Sequence, residues 1–120
     1  MLWRVRGPGA FSALARPREH GGTRRRSGPV TVAFVPAVAV PFPDGAVTTH
    51  PSVAFAISRK VGPAVMRNRL RRRLRDELDG LARAQRLPTG AYLVALTPAA
   101  AALDGPALRG HLRDALGVPA

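Results

Sequence analysis

Val53-Ala54-Phe55-Ala56-Ile57-Ser58-Arg59-Lys60-Val61-Gly62-Pro63-Ala64-Val65-Met66-Arg67-Asn68-Arg69-Leu70-Arg71-Arg72-Arg73-Leu74-Arg75-Asp76-Glu77-Leu78 sets two periodicities back to back. Residues 53–58 alternate, with Val53, Phe55 and Ile57 on one side and small residues on the other, so they predict a half-buried strand. Gly62-Pro63 then breaks the pattern and predicts a helix start, with proline at the first helical position, where its missing N–H is not needed. Met66, Leu70, Leu74, Leu78 and Leu81 follow at spacings of four, four, four and three, which makes one apolar stripe along that helix. A strand feeding directly into a long amphipathic helix calls for a sheet with that helix laid on it.

The same stretch concentrates charge. Residues 59–75 hold eight cations and no acid. On a helix, Asn68, Arg72 and Arg75 lie together opposite the stripe, Arg69 flanks them, and Arg67 and Arg71 border the apolar side. Like charges this dense repel one another, and a polyanion lying on that face would relieve the repulsion. A solvated helix face is the structural alternative, but such faces usually mix signs. Arg59 and Lys60 sit just after the strand, beside helix-terminal amides suited to phosphate.

The rest of the chain fits around this unit. Residues 9–15 predict a short helix carrying Phe11 and Leu14 on one side, and Val30 to Val35 read as a strand on which Val30, Val32 and Phe34 share a face. Residues 36–51, with Pro36, Pro41, Pro43, Asp44-Gly45 and Pro51, predict a long Pro-rich loop with a short strand arm near Ala46 to Thr49. Ala91 to Thr97 predicts another strand. A last helix starts near Asp104-Gly105-Pro106, buries Leu108, Leu112, Ala115 and Leu116, and stops at Gly117. The expected fold is α+β, a single-domain two-layer sandwich in the order α-β-β-β-α-β-α, spanning residues 1–120, with residues 1–8 as a disordered N-terminus.

Composition narrows the function. Nineteen Lys+Arg against seven Asp+Glu give a net charge of +12 over 120 residues, which points to a nucleic acid or an anionic membrane. Arginine supplies all the cations but Lys60; its planar fork suits phosphate and base stacking, although GC-rich coding would produce the same bias. No apolar run approaches the ~20 residues of a membrane span, and the basic helix lacks Trp or Phe to insert into a bilayer. Met1 to Arg26 is Arg-rich, with Glu19 as its one acid, but it has no secretory core and Gly7-Pro8-Gly9 interrupts any amphipathic targeting helix. There are no cysteines. Neither the three scattered histidines nor the cluster Asp76, Glu77 and Asp79 makes a metal site or a nuclease constellation, so no catalytic and no metal-binding residue is expected.

Ser58-Arg59-Lys60-Val61-Gly62, then Ala64-Val65-Met66-Arg67-Asn68-Arg69-Leu70-Arg71-Arg72, then Arg75, resembles the protein subunit of bacterial ribonuclease P. That family carries a lysine–hydrophobic–glycine turn leading into an Arg-Asn-Arg helix, and the match runs nearly unbroken over about 18 residues. The resemblance implies a ribosomal-protein-like fold with a left-handed β-α-β crossover. It also implies a cytoplasmic ribonucleoprotein in which RNA is the catalyst. Arg59, Lys60, Arg67, Asn68, Arg69, Arg71, Arg72 and Arg75 would bind the catalytic RNA. The 5′ leader of precursor tRNA would lie in a cleft between the first helix and the sheet, with Phe11 and Phe34 as candidate contacts. Each of these two aromatics has a core role as its alternative, and Phe55 is expected in the core. Mg2+ would serve the RNA-catalysed reaction with no cofactor on the protein, and neither DNA nor membrane is an expected partner. The chain departs from the family pattern at Pro63, often asparagine, at Arg71, commonly lysine, and at Ala15, where many members place a second aromatic. The competing assignment is a small basic ribosomal or general RNA-binding protein.

Overall fold

The structure is a computed structural model that describes residues 3–5, 8–36 and 50–118, without the side chains of Trp3 and Pro8. The elements in chain order are β1 (Trp3–Arg4), α1 (Pro8–Ala15), β2 (Thr23–Ser27), β3 (Val30–Pro36), β4 (Ser52–Ile57), α2 (Ala64–Arg83), β5 (Gly90–Leu96) and α3 (Gly105–Leu116). The strands form one sheet in the order β1-β4-β5-β3-β2. β4 and β5 are parallel neighbours joined through α2, which is the β-α-β crossover, while β3 runs antiparallel to both β5 and β2.

Alternation along the central strands assigns the two faces. Val30 and Val32 of β3, Val53 and Ile57 of β4, and Tyr92, Val94 and Leu96 of β5 are buried under α2 and α3. Leu70, Leu74, Leu78 and Leu81 come down on them from α2, and Leu108, Leu112 and Ala115 from α3. The opposite face is buried in part: Ala33, Val35 and Ala91 pack with Val5 and with Ala10, Ala13 and Leu14 of α1. The α+β sandwich of sheet and α2/α3 therefore carries a short third layer, because both faces of β3 and β5 are apolar. Small side chains on the α1 side let an eight-residue helix sit close.

Helix limits follow from local chemistry. Asp104 caps α3, its Oδ1 accepting from the Ala107 amide at 2.8 Å, and Gly117 ends it in the left-handed region at φ 74°. Pro63 is the residue before α2, one position earlier than expected, with its carbonyl accepting from the Arg67 amide. A half-buried ion pair between Glu77 and Arg113 ties α2 to α3.

The expected strands at 30–35, 53–58 and 91–97 form within one residue of their limits. Two strands were not expected. Thr23–Ser27 pairs with β3 over its whole length, from Thr23 opposite Phe34 to Ser27 opposite Val30. Trp3–Arg4 pairs with Ser52 and Val53, and α1 starts at Pro8, so these parts of the stretch expected to be a disordered N-terminus are ordered. Backbone pairing to a ready-made sheet edge needs no apolar pattern, so neither strand shows in the sequence. Most of the Pro-rich loop, residues 37–49, and with it the strand arm at 46–49, lies outside the described residues.

Leu78 is fully buried, so Leu78→Ala should lower unfolding free energy by about 2–5 kcal/mol; a smaller change in denaturant titration would mean that α2 is not seated as described. Tyr92, the one tyrosine, donates its hydroxyl to the Pro88 carbonyl, and burial raises its pKa well above the usual phenol value. The folded state thus favours the protonated phenol. This contribution is complete below about pH 10, where a free tyrosine titrates, and is lost as pH rises further. Phenolate absorbance should therefore lag a free-tyrosine titration until the chain unfolds; native-state ionisation near pH 10 would contradict the assignment.

Candidate nucleic-acid interface

The link from β4 to α2 is a single 3-10 turn, Arg59–Val61, closed by bonds from the Val61 amide to the Ser58 carbonyl and from the Gly62 amide to the Arg59 carbonyl. Val61 is buried and pins the turn to the core, which leaves Arg59 and Lys60 exposed. α2 then starts without a side-chain cap and without an acid in its first turn. Its first amides lack intrahelical partners and lie beside Arg59 and Lys60.

Among the eight residues proposed from sequence, Arg59, Lys60, Asn68, Arg69 and Arg72 are exposed. Arg67, Arg71 and Arg75 are half-buried, and each is held. Arg67 Nε donates to the Gly62 carbonyl at 3.2 Å, Arg71 donates to Asn68 Oδ1 at 2.8 Å, and the Arg75 guanidinium lies 5.5 Å from the centroid of the Phe55 ring. Phe55 was expected simply in the core. It does pack against the core, but it is half-buried and gives Arg75 a π-face to rest on. Only the register between helix and strand reveals this contact. Among the described residues none of the eight cations between Arg59 and Arg75 forms a salt bridge; of the three acids that follow on α2, Glu77 is paired with Arg113 and Asp79 with Arg83 at 2.8 Å, while Asp76 is exposed beside the last of the cations.

Phe11 and Phe34 are not brought together. Phe34 points to the α2–α3 side, its ring 4.8 Å from that of Tyr92 and packed against the main core. Phe11 belongs to the α1 side. Leu14, expected on the same side of α1 as Phe11, is fully buried, whereas Phe11 is 47% exposed on the flank of the helix. Beside α1 one cross-strand row stays uncovered: Arg26 of β2, Thr31 of β3, Ala95 of β5 and Ala56 of β4 stand in register. Arg26 and Ala56 are exposed and the other two are half-buried.

Comparison with known proteins bears on this arrangement. The family profile for Ribonuclease P matches residues 4–118. The chain belongs to the ribonuclease P protein family. A ribonuclease P protein component from Thermobifida fusca is 38% identical over 98 residues, covering 81% of this chain and 64% of the relative, so the chain spans just under two thirds of that relative's length. The ribonuclease P protein of Staphylococcus aureus superposes with a TM-score of 0.74 at 16% identity, over 96% of this chain and 93% of the other. That of Thermotoga maritima gives 0.71 at 19% identity, over 94% and 96%. At those identities the two structures show a shared fold. The family assignment rests on the profile, which spans nearly the whole chain.

Arg69 is exposed, and among the described residues it makes no hydrogen bond or ion pair that would be lost on mutation. Arg69→Ala should leave the unfolding midpoint unchanged and flatten the plot of log K against log salt for family catalytic RNA by about 0.7–0.9. An unchanged slope would remove Arg69 from the phosphate-contacting set.

Proposed function

We propose that the chain is the protein subunit of a ribonuclease P holoenzyme, binding the catalytic RNA through α2 and the 5′ leader of precursor tRNA along the α1 side of the sheet. The observation that carries this reading is the cationic face of α2 over residues 64–75, a stretch without an acid, set next to the family's Lys60-Val61-Gly62 turn. In water such a face is repulsive; against RNA its charges replace condensed counterions, whose release drives binding. Arg69 and Arg72 are exposed and, among the described residues, make no hydrogen bond or ion pair. Arg67, Arg71 and Arg75 are braced by the Gly62 carbonyl, Asn68 and Phe55, so less rotamer entropy remains to be lost on contact.

The leader would lie against Phe11 and the open row of Thr31, Ala95 and Ala56 beside α1. An exposed aromatic near cations is the usual means of holding single-stranded nucleic acid without reading its sequence. Phe34, turned to the other side, has no part in this. Cleavage is assigned to the RNA, which would also hold the Mg2+. Among the described residues no group of three or more His, Asp or Glu stands where it could hold a metal ion, so no step is assigned to a protein-bound metal. The chain's own contribution is electrostatic and positional: it screens RNA–RNA repulsion and fixes the single-stranded end of the substrate. Among the described residues no helix is long and apolar enough to cross a membrane, and a cytoplasmic location is part of the proposal.

Reconstitution with a bacterial ribonuclease P RNA tests this directly. The chain should restore leader removal at low Mg2+. Phe11→Ala should weaken affinity for leader-bearing substrate more than affinity for the catalytic RNA. Absence of stimulation together with tight binding to ribosomal RNA would favour a ribosomal or general RNA-binding role instead.

A further inference from the structure

A second concentration of arginine lies away from α2. Arg24, Arg25 and Arg26 are consecutive, all exposed, and stand on β2. In the sheet order, β5 and β3 separate β2 from β4, the strand under Arg75. Three strand spacings amount to about 14 Å, more than the ~8 Å Debye length at physiological salt. The two basic surfaces therefore act on different phosphates.

Alternation along β2 splits the three. Arg25 is opposite Val32, on the α2–α3 side, while Arg24 and Arg26 are opposite Ala33 and Thr31, on the α1 side with Phe11. Both α1-side arginines are anchored through part of the guanidinium only. Arg24 donates from one terminal nitrogen to the Ala15 carbonyl at 3.0 Å and the Leu14 carbonyl at 3.4 Å, at the end of α1. Arg26 donates through Nε to the Gly28 carbonyl at 3.0 Å. A salt bridge to a carboxylate is found for neither among the described residues, where the one acid near this edge, Glu19, lies 3.9 Å from Arg16. A cavity of about 370 Å3, lined by Arg16, Arg18, Glu19 and Arg24 among others, opens at the same end of α1. A forked donor fixed at one nitrogen with the others facing solvent is oriented for a phosphate.

We propose that Arg24 and Arg26 form a phosphate-binding wall at the β2 edge that holds single-stranded RNA after it has passed Phe11, extending the stretch of 5′ leader that the protein grips. This rests on the leader reading given above and adds to it a second set of contacts outside the α2 face. Single-stranded substrate is the occupant favoured by the observations, because the two arginines share the side of the half-exposed aromatic and not that of α3.

The experiment compares Arg26→Gln with Arg25→Gln, neighbours that lose the same charge on opposite sides of the sheet, in holoenzyme with precursor tRNAs of increasing leader length. With wild type and Arg25→Gln, affinity should keep rising past the leader length at which Arg26→Gln reaches its plateau, the final difference being about fivefold or more. Affinity for the catalytic RNA should be equal in all three. A shared plateau overturns the proposal, and so does a loss of catalytic-RNA affinity in Arg26→Gln, which would give this edge to the other RNA. As a readout independent of the holoenzyme, binding of a single-stranded RNA oligonucleotide to the chain alone should show a salt slope flatter by about 0.7 for Arg26→Gln and unchanged for Arg25→Gln. Equal slopes would overturn the wall even if leader cleavage is stimulated. If stimulation fails while the Arg26 slope effect remains, the leader reading falls and the RNA site stands.

Discussion

Burial of one leucine row under α2 is the constraint from which the remaining geometry follows. Leu70, Leu74, Leu78 and Leu81 are each no more than 3% exposed, and at about 1.5–3 kcal/mol per buried side chain they contribute roughly 6–12 kcal/mol. Against this stand like-charge neighbours one turn apart, Arg67 with Arg71, Arg71 with Arg75 and Arg69 with Arg73, at a few tenths of a kcal/mol each. The hydrophobic term wins by several-fold, so the helix can keep its repulsive face without RNA present. That face is consequently a fixed surface. Its rotation about the helix axis is dictated by the leucines, and the side opposite them has no choice but to point outward.

The sheet transmits the same logic to its other side. β3 and β5 bury residues on both faces, but the side chains differ in size: valine, leucine and tyrosine under α2 and α3, mainly alanine under α1. A two-turn helix cannot cover four strands, so the row of Thr31, Ala95 and Ala56 is left open beside it. The molecule therefore presents two basic regions of different character. One is a continuous cationic helix face; the other is a shallow sheet surface bordered by an aromatic and by arginines.

What could be read in the sequence divides along physical lines. β4, α2 and α3 were legible because each carries a period that only one secondary structure satisfies, and β3 and β5 because each is a short apolar run that ends at a proline; the family turn at Lys60-Val61-Gly62 placed the α2 cations in context. β2 was not legible, because three consecutive arginines show no alternation and the strand forms through its backbone at the edge of β3. The contact of Arg75 with Phe55 and the separation of Phe11 from Phe34 depend on which side of the sheet each element meets. Such relations are set by tertiary register, although the shared face of Val30, Val32 and Phe34 already held the clue that Phe34 would follow the two valines into the main core.

Charge is also polarised along α2, and the polarity runs against the helix itself. A helix N-terminus carries partial positive charge and favours anions, yet here it has no acid in its first turn and no side-chain cap, with Arg59, Lys60 and Arg67 nearby. The acids stand instead in the C-terminal half, where Glu77 and Asp79 pair with Arg113 and Arg83, which leaves Asp76 as the one acid facing the end of the cationic stretch. Dipole, free amides and side-chain charge thus add at one end of one element. Every one of these terms is unfavourable in the isolated chain and would become favourable beside a phosphate, so the strain that the leucines hold in place is the same quantity that a bound polyanion would release.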